Sequence, residues 1–143
     1  MGATEIAVLV VEDNPNDAEL TLRALRGLVG REQVALVEDG VKALDLLAGI
    51  EAPGRLPRIV LLDLKLPKLD GLELLRRLKA DPRTQPVPVV VLTSSHEEHD
   101  LRESYRLGAN SYLVKPVGFQ EYVALVAQAG RYWLELNRLP PVR

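Results

Sequence analysis

The sequence predicts an α/β chain wound as (βα)5, a doubly wound five-stranded parallel sheet with helices on both faces. Apolar runs rich in Val, Ile and Leu at 6–11, 34–37, 59–62, 89–92 and 112–114 show no polar alternation, which marks strands buried on both faces. Between them lie segments with apolar residues at helical spacing, and regular strand–helix alternation implies right-handed crossovers and a parallel sheet. A third observation concerns chemistry. Glu12-Asp13, Asp63, Thr93 and Lys115-Pro116 each stand where such a run ends. Ligands of open parallel sheets bind beyond the carboxyl ends of the strands, so these unlike polar groups are expected to converge in one crevice.

Taken in order, strand one ends at Glu12, and Pro15, Asn16 and Asp17 form a helix start signal. Ala18, Leu22, Leu25 and Val29 give helix one its apolar face. Strand two, 34–37, precedes a short helix carrying Val41, Leu44 and Ala48. Ala52-Pro53-Gly54 and Pro57 mark a loop before strand three delivers Asp63. The stretch 65–71, with Pro67, Asp70 and Gly71, is a turn, and Leu72, Leu75 and Leu78 line the next helix up to Asp81-Pro82. Strand four ends at Thr93, residues 97–108 read as an amphipathic helix, strand five spans about 110–114, and a last helix runs from 119 to about 137. That helix carries two apolar stripes. Phe119, Val123, Val126, Gly130 and Trp133 are expected to cover the sheet, leaving Tyr122, Leu125, Ala129, Tyr132 and Leu136 on an adjoining face.

At 143 residues the chain suits one domain, 1–143, with an extended C-terminal helix and tail from about 119. Its 47% apolar and 27% charged residues are those of an ordinary globular protein. No apolar stretch approaches the roughly 18 residues of a membrane helix. Residues 1–5 carry no basic cluster, so a signal peptide is not expected and a cytoplasmic location is; the absence of cysteine agrees with this and removes thiolate chemistry. A formal charge of −2 offers no drive toward nucleic acid or an anionic membrane.

Asp13 and Asp63 are expected at adjacent strand ends with Glu12 beside them. Two unit charges near 4 Å repel by about 4 kcal/mol at an effective dielectric near 20. A hard divalent cation held by a few protein oxygens, with Mg²⁺ the natural choice, offsets that repulsion. Lys115 projects a cation toward the same acids, Pro116 fixes the turn through a bond that is cis or trans, and Thr93 supplies a hydroxyl. Together these groups suit acceptance of a phosphoryl group by Asp63, with Lys115 balancing the growing negative charge. No G-x-x-x-x-G-K-[ST] or G-x-G-x-x-G loop is present, so nucleotides are not expected as direct ligands. His96 and His99 lack a third ligand signal and read as a solvated helix start.

Val10-Val11-Glu12-Asp13-Asn14, Leu61-Leu62-Asp63-Leu64, Pro67, Asp70-Gly71, Val91-Leu92-Thr93-Ser94 and Lys115-Pro116-Val117 together resemble the receiver domain of two-component response regulators, a flavodoxin-like fold. The resemblance implies that Asp63 takes phosphate from the phosphohistidine of a sensor histidine kinase. It also implies Mg²⁺ on Asp13, Asp63 and the backbone carbonyl of Lys65, with Glu12 acting through water. Thr93 and Tyr112 would form a switch that reshapes the surface of helix four, strand five and helix five. Glu12 stands where the family most often has aspartate, a mild departure. No output domain follows, so a single-domain regulator is expected.

The ending 131–140 and the long loop before strand three resemble the regulators paired with bacterial and cyanobacterial phytochromes, which implies a light-sensing kinase as partner. The second apolar stripe of the last helix predicts a homodimer through Tyr122, Leu125, Ala129, Tyr132 and Leu136, unless Leu139-Pro140-Pro141 folds back over it. Two other readings stay open: a phosphorylation-independent interaction module on the same fold, and an aspartate-nucleophile phosphohydrolase. The second is weakened because Lys65 occupies the position two after Asp63 where such enzymes resemble D-x-D.

Overall fold

Five short strands, β1 (Val8–Val11), β2 (Val34–Val37), β3 (Ile59–Leu62), β4 (Val89–Thr93) and β5 (Ser111–Val114), pair in parallel in the order β2-β1-β3-β4-β5 in this computed structural model, which describes residues 5–141. Residues 1–4 of the N-terminal stretch and residues 142–143 of the tail lie outside the described part. Successive side chains of each strand serve two cores. Val8, Val10, Ile59, Leu61, Val90 and Leu92 pack under α1 (Pro15–Leu25) and α5 (Phe119–Arg131). Leu9, Val11, Val60, Leu62, Val89 and Val91 pack under α2 (Gly40–Ala48) and α3 (Gly71–Ala80). Burial on both faces is why the runs of β1, β3 and β4 show no alternation, whereas the edge strands β2 and β5 are only partly buried.

From β1 the chain goes to one side to build β2 and then crosses to β3 on the other, so the connections leaving β1 and β3 diverge and open a crevice between them. Helix starts are fixed by short polar side chains. Asn14 Oδ1 accepts the N–H groups of Asn16 at 2.9 Å and Asp17 at 3.0 Å, Asp39 caps α2 through the Lys42 N–H, and Asp70 caps α3 through the Leu72 N–H. Each such cap stabilises its helix by about 1 kcal/mol. Gly71 lets α3 begin hard against β3, since a Cβ there would run into the backbone of Asp63 and Leu64.

Two helices are rotated from the expected phase. In α2 the buried residues are Gly40, Ala43 and Leu47, whereas Val41 and Ala48 are exposed and Leu44 is half-buried. In α5 the buried line is Tyr122, Val126 and Gly130, continuing to Leu134 in the π-helical turn Tyr132–Leu136. This line takes residues from both expected stripes. Phe119, assigned to the sheet, is 58% exposed, and Tyr122, assigned to a dimer interface, is 2% exposed. Its hydroxyl meets Thr21 Oγ1 of α1 at 3.0 Å. The close approach at Gly130, where a Cβ would press on Leu28 and Leu25, selects this phase.

The tail does not cover the outer face. Tyr132 and Leu136 remain 48% and 61% exposed, while Leu139, Pro140 and Pro141 line a separate groove of about 700 Å³ with Pro57, Pro86 and Pro88. Arg58, ahead of β3, ties this end down by donating to the Leu134 carbonyl at 2.5 Å.

Candidate functional site

Strand register brings the polar groups together. Val11 pairs with Leu62, so Glu12 and Asp63 leave neighbouring strands at the same level, and the Asp63 N–H donates to the Val11 carbonyl at 3.1 Å. On the far side, Thr93 pairs with Val114, and the Lys115 N–H donates to the Thr93 carbonyl at 2.7 Å. Four of the five strands therefore deliver the groups named from the sequence. All described peptide bonds are trans, Lys115-Pro116 included.

The Lys115 ammonium is the centre of the site. It lies 2.7 Å from Glu12 Oε1, 2.8 Å from Asp17 Oδ2 and 2.9 Å from Asp63 Oδ2, so its three N–H donors meet three carboxylates. Burial alone would push this lysine toward its neutral form, but hydrogen bonds to Asp17, Glu12 and Asp63 together outweigh it and raise its pKa above the ordinary value. Glu12 moves the other way. Burial, joined by the charge of Asp63, pushes its pKa up to about 7 against the hydrogen bonds it receives from Lys115 and the Asn14 N–H. The two shifts agree physically, because one ammonium cannot neutralise a crowd of carboxylates.

That crowd fits a metal. Among the described residues, Glu12, Asp13 and Asp63 each offer an oxygen within 4.8 Å of the others. Hard carboxylate donors with an unneutralised negative balance suit a divalent cation such as Mg²⁺. The Lys65 N–H reaches to 3.4 Å from Asp63 Oδ1, so the turn after β3 folds back over the carboxylate. His96 and His99 are both exposed and lie outside the acidic group.

Glu12 carries a testable pH dependence. Its folded pKa lies above its ordinary value of 4.5, so the folded state holds the proton more tightly. In the metal-free protein this contribution is complete below about pH 4.5 and is lost as pH rises to about 7. Urea unfolding in chelator should show stability falling across that window, by at most about 1.4 kcal/mol per pH unit. Glu12→Gln should flatten it; an unchanged slope in that variant would assign the effect elsewhere.

Thr93 is fully buried, and its Oγ1 accepts the Ser95 N–H at 3.3 Å. Tyr112, half-buried on β5, donates its hydroxyl to the Ser95 carbonyl at 3.1 Å, and Ser95 Oγ donates to Asp100 at 2.6 Å in α4 (Glu98–Arg106). Ser95 thus joins Thr93, Tyr112 and the first turn of α4, a role not assigned to it from the sequence. Asp17 was read only as part of a helix start. Its signal was its place three residues after the Asn14 cap, on the first turn that faces the strand ends.

A family model described as the response regulator receiver domain matches residues 8–127. The chain belongs to this receiver family. Its members are signalling switches, and phosphoryl transfer from a kinase is general among them. The receiver is 46% identical over 134 residues to the probable methanogenesis regulatory protein FilR2 of Methanothrix harundinacea, covering 93% of this chain and 86% of that one. It is 36% identical over 135 residues to response regulator Rcp1 of Synechocystis, covering 93% and 92%. The Mn²⁺-bound form of Rcp1 superposes with a TM-score of 0.84 at 34% identity, covering 96% of this chain and all of that one. The phosphorylated cyanobacterial phytochrome response regulator RcpA superposes with a TM-score of 0.87 at 34% identity, with the same coverage. The receiver is thus related to regulators associated with phytochromes, as its ending suggested. Among its described residues no helix is long and apolar enough to cross a membrane.

Proposed function

We propose that Asp63 accepts a phosphoryl group from the phosphohistidine of a sensor histidine kinase, a phytochrome being the sensor class suggested by the relatives' names. The observation that carries this reading is the Asp63 carboxylate beside Glu12 and Asp13, with the Lys115 ammonium 2.9 Å from its Oδ2. An Asp63 oxygen attacks phosphorus opposite the leaving group. The new P–O bond forms as the P–N bond to imidazole breaks, and the imidazole departs with the electron pair and takes up a proton. Lys115 stays protonated and offsets the negative charge on the transferred group. A divalent cation held by Glu12, Asp13, Asp63 and the Lys65 backbone carbonyl supplies further charge neutralisation when bound.

The product is a mixed anhydride whose new oxygens are strong acceptors. Thr93 turns its hydroxyl toward them and gives up its bond from the Ser95 N–H. Tyr112, bonded to the carbonyl of the same Ser95, then loses its present partner and moves inward, which reshapes the surface of α4, β5 and α5. The reading is a switch and not a turnover enzyme, since Lys65 stands where aspartate-nucleophile hydrolases carry their second acid; self-dephosphorylation is at most slow. The exposed Tyr132 and Leu136, with half-buried Leu125 and Ala129 beside them, support a homodimer through α5 and the turn after it. A formal charge of −2 favours protein partners over nucleic acid or membrane, in a cytoplasmic setting.

The test is incorporation of acid-labile phosphate from a small phosphodonor, with and without Mg²⁺, read beside the sedimentation of the protein. Metal-dependent labelling is the expected result. No labelling under any condition would turn the reading to the phosphorylation-independent interaction module.

A further inference from the structure

Asp17 is the one carboxylate on Lys115 that does not belong to the acidic group of Glu12, Asp13 and Asp63. It comes from a different element, the first turn of α1, where the Asn14 cap holds its backbone N–H at 3.0 Å and an acidic side chain is favoured by the helix dipole. The lysine side chain is only 7% exposed, so each of its N–H groups needs a protein partner. Glu12 and Asp63 are also the residues a cation and a phosphoryl group would engage. Once they do, two of the three acceptors of Lys115 are shared or lost, and the acceptor that stays is Asp17.

Resting on the phosphoacceptor reading above, we infer that Asp17 is a positioning residue: it holds the Lys115 ammonium in the site independently of Asp63, keeping it aimed at the reacting carboxylate throughout phosphoryl transfer. Asp17 touches neither the phosphoryl donor nor the acceptor and acts through the lysine. It also links α1 to the loop after β5, so the first turn of α1 and the phosphoryl site are mechanically joined through one hydrogen bond.

The experiment compares wild type, Asp17→Asn, Lys115→Met and the double variant in labelling by phosphoramidate at saturating Mg²⁺. The amide is isosteric with the carboxylate, and Asp17 is partly exposed, so the fold tolerates the change. Asp17→Asn should lower the maximal rate roughly five- to tenfold while the half-saturating donor concentration stays within about twofold. In the Lys115→Met background the same substitution should change the rate less than about twofold, the mark of two residues acting as a unit. A second readout needs no activity. The Lys115 ammonium, assigned by its loss in Lys115→Met, should give a sharp nitrogen-15 correlation signal at low temperature in wild type, with chelator and with Mg²⁺, and broaden through water exchange in Asp17→Asn. A wild-type rate and an unchanged signal in Asp17→Asn would overturn the inference and leave the phosphoacceptor reading standing, as would an equal loss of rate with and without Lys115. Absence of labelling in wild type would overturn that reading and this inference with it.

Discussion

Asp63→Asn is expected to fold and yet to take up no acid-labile phosphate above background at any Mg²⁺ concentration. The amide keeps the shape of the carboxylate and one acceptor oxygen, which can meet either Lys115 or the Lys65 N–H, donors that reach different oxygens of Asp63. It lacks the negative charge that makes a carboxylate oxygen a nucleophile, and no other group takes its place in register beside Glu12. Stability should not fall. Lys115 keeps Glu12 and Asp17 as ionic partners, and one charge leaves a group in which carboxylates outnumber the ammonium. The same change lowers the pKa of Glu12 from about 7, because the charge of Asp63 is one of the influences raising it. Phosphate incorporation by mass spectrometry and thermal unfolding at pH 7 test both halves, and wild-type labelling of Asp63→Asn would end the phosphoacceptor reading.

Tyr122→Ala should be the most destabilising single change in α5, by about 3–5 kcal/mol, the usual cost of emptying a buried aromatic site. Its ring lies in the core beneath α1 and α5, and the pairing of its hydroxyl with buried Thr21 means that truncation also strands a polar atom. Tyr122→Phe isolates the second loss and should cost about 1–2 kcal/mol. Leu136→Ala, on the exposed face, should stay within about 0.5 kcal/mol. Urea unfolding followed by circular dichroism ranks the three. A Tyr122→Ala protein as stable as wild type that had merely lost self-association would restore the residue to an interface. Burial of the phenol also pushes its pKa up to about 12, outweighing the hydrogen bond to Thr21, so the ring stays neutral across the accessible pH range.

The strands and the site were legible for one reason: each is written in contiguous residues. A run of β-branched and aliphatic side chains ending in an acid or a hydroxyl specifies both a strand buried on two faces and the group at its carboxyl end. The helices were legible only as elements. In α2, apolar residues at 41, 43, 44, 46, 47 and 48 allow more than one face, and the buried one carries small Ala43 in the core and Gly40 against the backbone of Leu69. In α5 every residue from 122 to 127 is apolar, so local pattern does not separate the stripe assigned to the sheet from its neighbour, and the buried line drew on both.

Sequence alone determined the fold class, the order of elements, and the identity of Glu12, Asp13, Asp63, Thr93 and Lys115 as residues to be explained, since local periodicity and strand-end position carry that information, while Tyr112 came from the family resemblance. The tertiary structure decided how each helix is rotated about its axis, which apolar face is covered, and that Lys115 is shared with Asp17, 98 positions away, as well as with Asp63. Helix rotation is set by close packing against the sheet and the neighbouring helix, a long-range fit to which a helix that is apolar on several sides is locally indifferent.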